Sequence, residues 1–356
     1  SATQQPIDQE RLEAFMGQFV LDLGAAATTA LVVIGDRLGL YKAMADSEPV
    51  TPAELAERTG TVERYVREWL CQQAASNYVE YDPADGTFRL PPEQALALAV
   101  EDSPVFIPGA FQVVAGEIKD EAHISERFVS GEGFGWHEHH HDVFAGTERF
   151  FRAGYLANLV GGWLPALDGV VAKLQAGAHV ADIGCGHGAS TILMAEAFPN
   201  STFVGSDYHE ASIETARRAA ERAGVADRVR FEVVGAAEFG GGPFDLVCAF
   251  DALHDMGDPV GASRHVLSQC KPDGTWLVVE PFAGDAIEDN LNPVGRIYYA
   301  GSTLLCTPAS LSQEVGLALG AQAGPARLGA VVREGGFTRV RDAATTPFNL
   351  VLEVRP

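Results

Sequence analysis

The chain has 356 residues, 47% apolar and 21% charged, with 38 Gly and 5 Cys. That composition excludes a disordered, collagen-like or disulfide-framework protein, and the length suits two domains of roughly 100–200 residues, each with its own core. Asp and Glu number 48 against 25 Lys and Arg, a formal charge of −23, which repels phosphate backbones and anionic lipid surfaces, so neither nucleic acid nor a membrane is expected as a partner.

The longest mostly apolar stretch, 23–34, lies between Asp22 and Asp36. It falls short of the roughly 18 residues a bilayer requires, so no transmembrane helix is expected. The polar, acidic start has no basic segment leading into a hydrophobic one, and the scattered cysteines lack CxxC spacing. Both features point to a cytoplasmic protein with reduced thiols.

Residues 11–45 carry helical apolar spacing over too much surface for a lone helix in water, which predicts packing against a second copy in a homodimer. Over 50–60, Thr51 as N-cap, Pro52 at the first helical position, Glu54 and a stopping Gly60 predict a short helix. A second helix over 61–76 and a hairpin over 78–90, turning at Asp82-Pro83-Ala84-Asp85-Gly86, complete a winged helix. Such modules often bind DNA, but here Arg58, Arg64 and Arg67 face Glu54, Glu57, Glu63 and Glu68. A groove-reading helix is not net acidic, so dimerisation and pocket closure are the expected roles.

The expected layout is an N-terminal helical and winged-helix domain over 1–142, linking helices over 143–176 and an α/β domain over 177–356. In the last, strand-like runs (179–183, 202–206, 229–234, 244–250, 275–279) alternate with helical ones (190–198, 211–223, 259–270, 326–335). This predicts a Rossmann-like, seven-stranded doubly wound sheet, closed by an antiparallel hairpin over 338–342 and 348–354.

The segment Ala181-Asp182-Ile183-Gly184-Cys185-Gly186-His187-Gly188 follows a strand and opens a helix, where a doubly wound sheet binds its cofactor. Gly184, Gly186 and Ala189 also satisfy the dinucleotide pattern, so the glycines alone do not decide between cofactors. Asp182 decides: a carboxylate before the first glycine repels a pyrophosphate and favours a sulfonium, hence S-adenosylmethionine over NAD. Asp207 ends the second strand, where a carboxylate can take both ribose hydroxyls.

With the turn Gly240-Gly241-Gly242-Pro243 before Phe244-Asp245-Leu246-Val247, these motifs resemble the class I S-adenosylmethionine-dependent methyltransferases. The resemblance implies that Gly184, Gly186 and Gly188 cradle the methionine end of the cofactor, with Phe250 also at the cofactor and Tyr208 near the adenine. Where many members carry an Asp after strand three, Ala236 and Ala237 stand here, leaving Ala237 and Glu238 as the adenine edge. The segment Leu253-His254-Asp255, the strand ending in Glu280 and the winged helix are similar to small-molecule O-methyltransferases. That implies His254 as general base and Glu280 as the residue orienting it. Independently, His254 and Glu280 end adjacent strands that overlook the cofactor crevice, and a neutral imidazole there can take a hydroxyl proton.

For the small-molecule acceptor, Trp136, His139 and His140 in the run Trp136-His137-Glu138-His139-His140-His141, and Arg296 and Tyr299 in an insertion near 282–325, are the candidate contacts. Adjacent histidines on one element seldom converge on one ion, so no metal is assigned. A carbon or nitrogen acceptor, a dehydrogenase and a DNA-binding, ligand-sensing regulator are the competing readings.

Overall fold

A computed structural model describes residues 6–356. Its first helix, α1 (Gln9–Arg37), is capped by Asp8, whose side chain accepts the Arg11 N–H, and runs straight through Asp22. By length and composition α1 could cross a membrane. This corrects the twelve-residue apolar segment read above: Asp22 accepts a hydrogen bond from Gln18 one turn earlier, and the helix continues past it. Only the far end of α1 is buried, at Thr28, Thr29, Val32, Val33 and Gly35. Gly35 is required there, since a Cβ would lie 2.5 Å from the Trp69 ring, and Trp69 Nε1 donates to the Leu31 carbonyl at 2.9 Å.

After α2 (Leu40–Ala43), the Thr51–Glu54 capping box opens α3 (Pro52–Thr59) and Gly60, at φ 64°, ends it, as expected. Then follow α4 (Glu63–Ala75), the hairpin β1 (Glu80–Asp82) and β2 (Thr87–Arg89), and α5 (Pro92–Leu98). On α4, Arg64 pairs with Glu68 and Arg67 with Glu63, and on the wing Arg89 pairs with Glu80. The basic groups that would meet phosphates are thus already matched within the module.

The chain forms two compact units. One runs to Ala115 and takes back Ala145–Phe150; the other is Gly116–Phe144 with Phe151–Pro356. The division at 115 differs from the boundary expected at 142, because 116–144 makes its contacts with the C-terminal part. In the first unit Arg149 is clamped by Asp36 and Glu101, a long-range pairing no local pattern announces.

Helices α6 (Pro108–Lys119), α7 (Glu121–Ser130), α8 (His141–Asn158) and α9 (Val170–Ala176) lead to the sheet. There β3 (His179–Ile183), α10 (Ala189–Ala197), β4 (Thr202–Asp207), α11 (Glu210–Ala223), β5 (Val229–Val233), β6 (Phe244–Phe250), α12 (Pro259–Gln269) and β7 (Cys270–Pro281) alternate. Helices α13 (Pro293–Gly301), α14 (Thr307–Leu311) and α15 (Gly324–Glu334) precede the hairpin β8 (Arg339–Thr345) and β9 (Asn349–Arg355).

The strand order is β5-β4-β3-β6-β7-β9-β8. The first five strands are parallel, and β9 joins antiparallel to both β7 and β8. Both faces are covered: along β3, Val180 and Ala181 enter opposite core clusters, as do Cys248 and Ala249 on β6. The chain reverses direction of winding between β3 and β6, so the ends of β3, β4, β6 and β7 border one crevice, the usual ligand position in such sheets. Strand β7 begins at Cys270 rather than 275, because Cys270 pairs with Phe244 across a register shift.

Gly188 caps α10 at φ 79°, and a Cβ there would lie 2.5 Å from Phe231 Cζ. Gly188→Ala is therefore expected to cost about 1–3 kcal/mol, read as a lower urea midpoint at constant m-value. An unchanged midpoint would show that the loop shifts freely.

Candidate active site

The loop after β3 turns on three glycines in the left-handed region, Gly184 (φ 68°), Gly186 (φ 52°) and Gly188. Their surroundings differ. Gly188 is closed by packing against Phe231, whereas a Cβ on Gly186 would meet nothing within 4 Å, so Gly186 borders open space where a ligand can approach the backbone. Asp207, at the end of β4, fastens this loop: its Oδ2 accepts the Gly186 N–H at 3.0 Å and its Oδ1 the His209 N–H at 2.9 Å. Each carboxylate oxygen keeps a further lone pair for a ligand hydroxyl.

Asp182 does not face open space. It is 1% exposed, and its Oδ2 accepts from the Ser190 and Thr191 hydroxyls, both at 2.6 Å. That anchors the start of α10 and corrects the picture of a freely presented carboxylate. Its Oδ1 is buried without a partner. Burial pushes the group up to about 6 against the two hydroxyls, which leaves a negative charge that a nearby cation would stabilise.

Around this loop Tyr208 is 49% exposed, and Ala237 and Glu238 are exposed beyond β5. Phe250 corrects its assignment: alternation on β6 turns the ring into the core, against Tyr155 and Trp163 at centroid distances of 5.3 and 6.1 Å.

At the ends of β6 and β7 the expected pair forms. Glu280, 1% exposed, accepts the Leu253 N–H through Oε1 at 2.9 Å and is hydrogen-bonded to His254 Nδ1 through Oε2. On the other side of the 3%-exposed His254, Nε2 lies 3.1 Å from Asp255 Oδ1. Burial lowers the basicity of this ring, but Glu280 and Asp255 outweigh it, and His254 sits well above the ordinary histidine value. Asp251, at φ 50°, has both oxygens buried without partners, and burial with the nearby Glu280 charge holds its carboxyl well above the usual range. Asp251 went unassigned in the sequence; its only signal was its place at a strand end before the histidine turn.

The insertion supplies Cys306, which gathers with His254 and Asp255 so that their donor atoms lie within 4.8 Å of one another. Gln313 Nε2 donates to the Asp255 carbonyl at 2.8 Å, and Ser310 Oγ to the Met256 carbonyl at 2.9 Å, so α14 and the residues after it hold the turn. Tyr299 is partly buried on α13 and Arg296 is exposed there. The His-rich segment separates by burial. His139 is enclosed, Trp136 and His140 are intermediate, and His137 and His141 are exposed. His140, His141 and Asp142 bring their donor atoms within 4.8 Å of one another, a grouping adjacent residues were not expected to make. Glu117 on α6 was not foreseen either: burial pushes its carboxyl up to about 7, facing Gly301 of α13 at 3.9 Å from where a Cβ would stand.

The donor set fits S-adenosylmethionine: an open glycine, a ribose-competent carboxylate and an orphaned buried carboxylate oxygen. Comparison with known proteins agrees with this geometry. Residues 26–100 match the Rv2258c-like winged HTH domain and residues 174–309 a methyltransferase domain. The 27-O-demethylrifamycin SV methyltransferase of Amycolatopsis mediterranei is 35% identical over 132 residues, 35% of this chain and 48% of that protein. The chain spans about half the length of the curated relatives it matches. Among solved structures, mitomycin 7-O-methyltransferase superposes with a TM-score of 0.68 at 22% identity, covering 98% of this chain and 100% of that one. Human N-acetylserotonin methyltransferase, in complex with S-adenosylmethionine, does so with 0.72 at 15% identity and 99% of both chains. The fold, the loop and both domain matches agree: residues 26–100 are similar to a winged helix-turn-helix domain and residues 174–309 to a methyltransferase domain, and the chain shares its fold with solved methyltransferases.

Proposed function

We propose that the protein moves a methyl group from S-adenosylmethionine to a hydroxyl of a small organic acceptor, with His254 as general base. The observation that carries this is that one end of the sheet brings together a glycine loop tied to Asp207 and a buried His254–Glu280 pair. The rifamycin and mitomycin relatives, both acting at oxygen by name, favour a hydroxyl over a carbon or nitrogen acceptor.

Bound at the loop, S-adenosylmethionine supplies an electrophilic methyl on a sulfonium. Asp207 takes the ribose hydroxyls, Gly184 and Gly186 admit the methionine end, Asp182 adds a negative charge favourable to the cation, and Tyr208, Ala237 and Glu238 edge the adenine. His254 Nε2, once released from Asp255, accepts the acceptor's hydroxyl proton as the oxygen attacks. Glu280 holds the ring and stabilises the imidazolium that results.

The N-terminal unit serves dimerisation. Phe15, Phe19, Val20 and Leu23 of α1 are exposed, and a second copy covers them. Burial in a bilayer would desolvate Asp22, and the net charge of −23 opposes anionic lipid. The free cysteines suit a reducing, cytoplasmic setting. Sedimentation of Phe15→Glu/Phe19→Glu should give a monomer where the unaltered protein gives a dimer. Monomer in both, or co-pelleting of the unaltered protein with phosphatidylcholine vesicles, would overturn the dimer.

His254→Ala should lower turnover by roughly 10²–10⁴ while calorimetry finds S-adenosylhomocysteine binding unchanged; Asp207→Ala should weaken that binding. A heat signal with NADH alone would refute the methyltransferase reading.

The pH dependence follows from the sign of the shift. The base works when neutral, and carboxylates that raise its basicity keep it protonated to higher pH. The limb of kcat/KM should therefore rise with pH above the ordinary histidine value of about 6.5. Glu280→Gln removes a raising charge and should move that limb down while reducing kcat; a limb that stays in place would remove Glu280 from the proton path.

A further inference from the structure

A second buried histidine–carboxylate pair stands in the same unit with one ring nitrogen left over. The His139 side chain is fully shielded from solvent. Its Nδ1 donates to Asp120 Oδ2 at 2.9 Å, and that oxygen also accepts the His140 N–H at 2.9 Å. A carboxylate only accepts, so the hydrogen sits on Nδ1 and Nε2 carries a lone pair. Nε2 is buried with no donor near it. Leaving such an atom unsatisfied is costly, a cost a binding site recovers when its ligand arrives.

The walls are aromatic: Phe134 meets His139 edge-on at 4.7 Å and Trp136 at 6.2 Å between centroids. The position is tied to the catalytic turn. The Phe134 N–H donates to the Pro308 carbonyl of α14 at 3.0 Å, and α14 follows directly on Cys306, the neighbour of His254 and Asp255. The carboxylates acting on His139 are Asp120, Glu138 and Asp255, and Asp255 also acts on His254. Burial is the stronger influence on His139 and holds it below the ordinary histidine value. The two rings are therefore shifted in opposite directions, His254 up by its carboxylates and His139 down by burial, and His139 offers a bare nitrogen.

We propose that His139 is an acceptor-binding residue: its Nε2 takes a hydrogen bond from a hydroxyl on an aromatic substrate, and Asp120 is the positioning residue that fixes the tautomer. This rests on the methyl-transfer reading for the ligand's identity as methyl acceptor. It also implies an acceptor that keeps a donor group on an otherwise apolar ring.

The test uses the full chain loaded with S-adenosylhomocysteine, whose binding is first measured by calorimetry so that failure of the cofactor reading shows separately. Long-range ¹H–¹⁵N NMR of histidine-labelled protein should find His139 neutral at pH 7, with its hydrogen on Nδ1, and Asp120→Asn should disturb that tautomer. In ¹⁹F NMR titrations 4-fluorophenol should bind about tenfold more tightly than 4-fluoroanisole, which lacks the donor, and His139→Phe should abolish that preference while the anisole still binds. A charged His139 at pH 7, a hydrogen on Nε2, failure of both probes to bind, or an undiminished preference in His139→Phe would overturn the proposal.

Discussion

A carboxylate sealed from water survives only when its charge is matched, and the active end of this sheet is organised around one that is. Glu280 sits on β7, paired to β6 on one side and to β9 on the other, so its backbone cannot move to relieve a poor fit. Its two oxygens are divided between the Leu253 N–H and the His254 ring. Removing either partner would leave a buried charge uncompensated, which costs far more than an ordinary hydrogen bond. The turn over 251–256 is therefore pinned, and the left-handed Asp251, whose N–H donates to the Val279 carbonyl, is part of the same constraint.

Local chemistry made much of this legible. The Thr51 capping box, the bounds of β3 and β6 and the glycine loop follow from residue types at short spacing, and the pairing of His254 with Glu280 from the resemblance and from their places at the ends of adjacent strands. What stayed hidden was non-local. Phe250 ends a strand beside a cofactor loop, and only the sheet's facing determines that its ring joins Tyr155 and Trp163. Asp182 reads as an open carboxylate until Ser190 and Thr191, in the first turn of α10, are folded back onto it. Asp22 reads as a boundary because a charge ends an apolar run in sequence, though a carboxylate bonded to Gln18 one turn earlier need not end a helix.

The two enclosed histidines show how far environment separates chemically identical groups. Both rings meet a carboxylate at Nδ1. A second carboxylate lies beside Nε2 of His254, while aromatic edges surround His139, and the balance between burial and charge falls on opposite sides. No property of the run Trp136-His137-Glu138-His139-His140-His141 distinguishes its members; Asp120, nineteen positions upstream of His139, does.

The division of the chain at 115 has a consequence for grafting. Asp120, Phe134 and His139 precede the parallel sheet by many residues, yet they belong to its compact unit, so the walls that would read a guest molecule and the strands that would act on it stand or fall as one piece. A chimera spliced at 142 would take its histidine from one parent's neighbourhood and its α14 from the other's; a splice at 115 keeps them as kin.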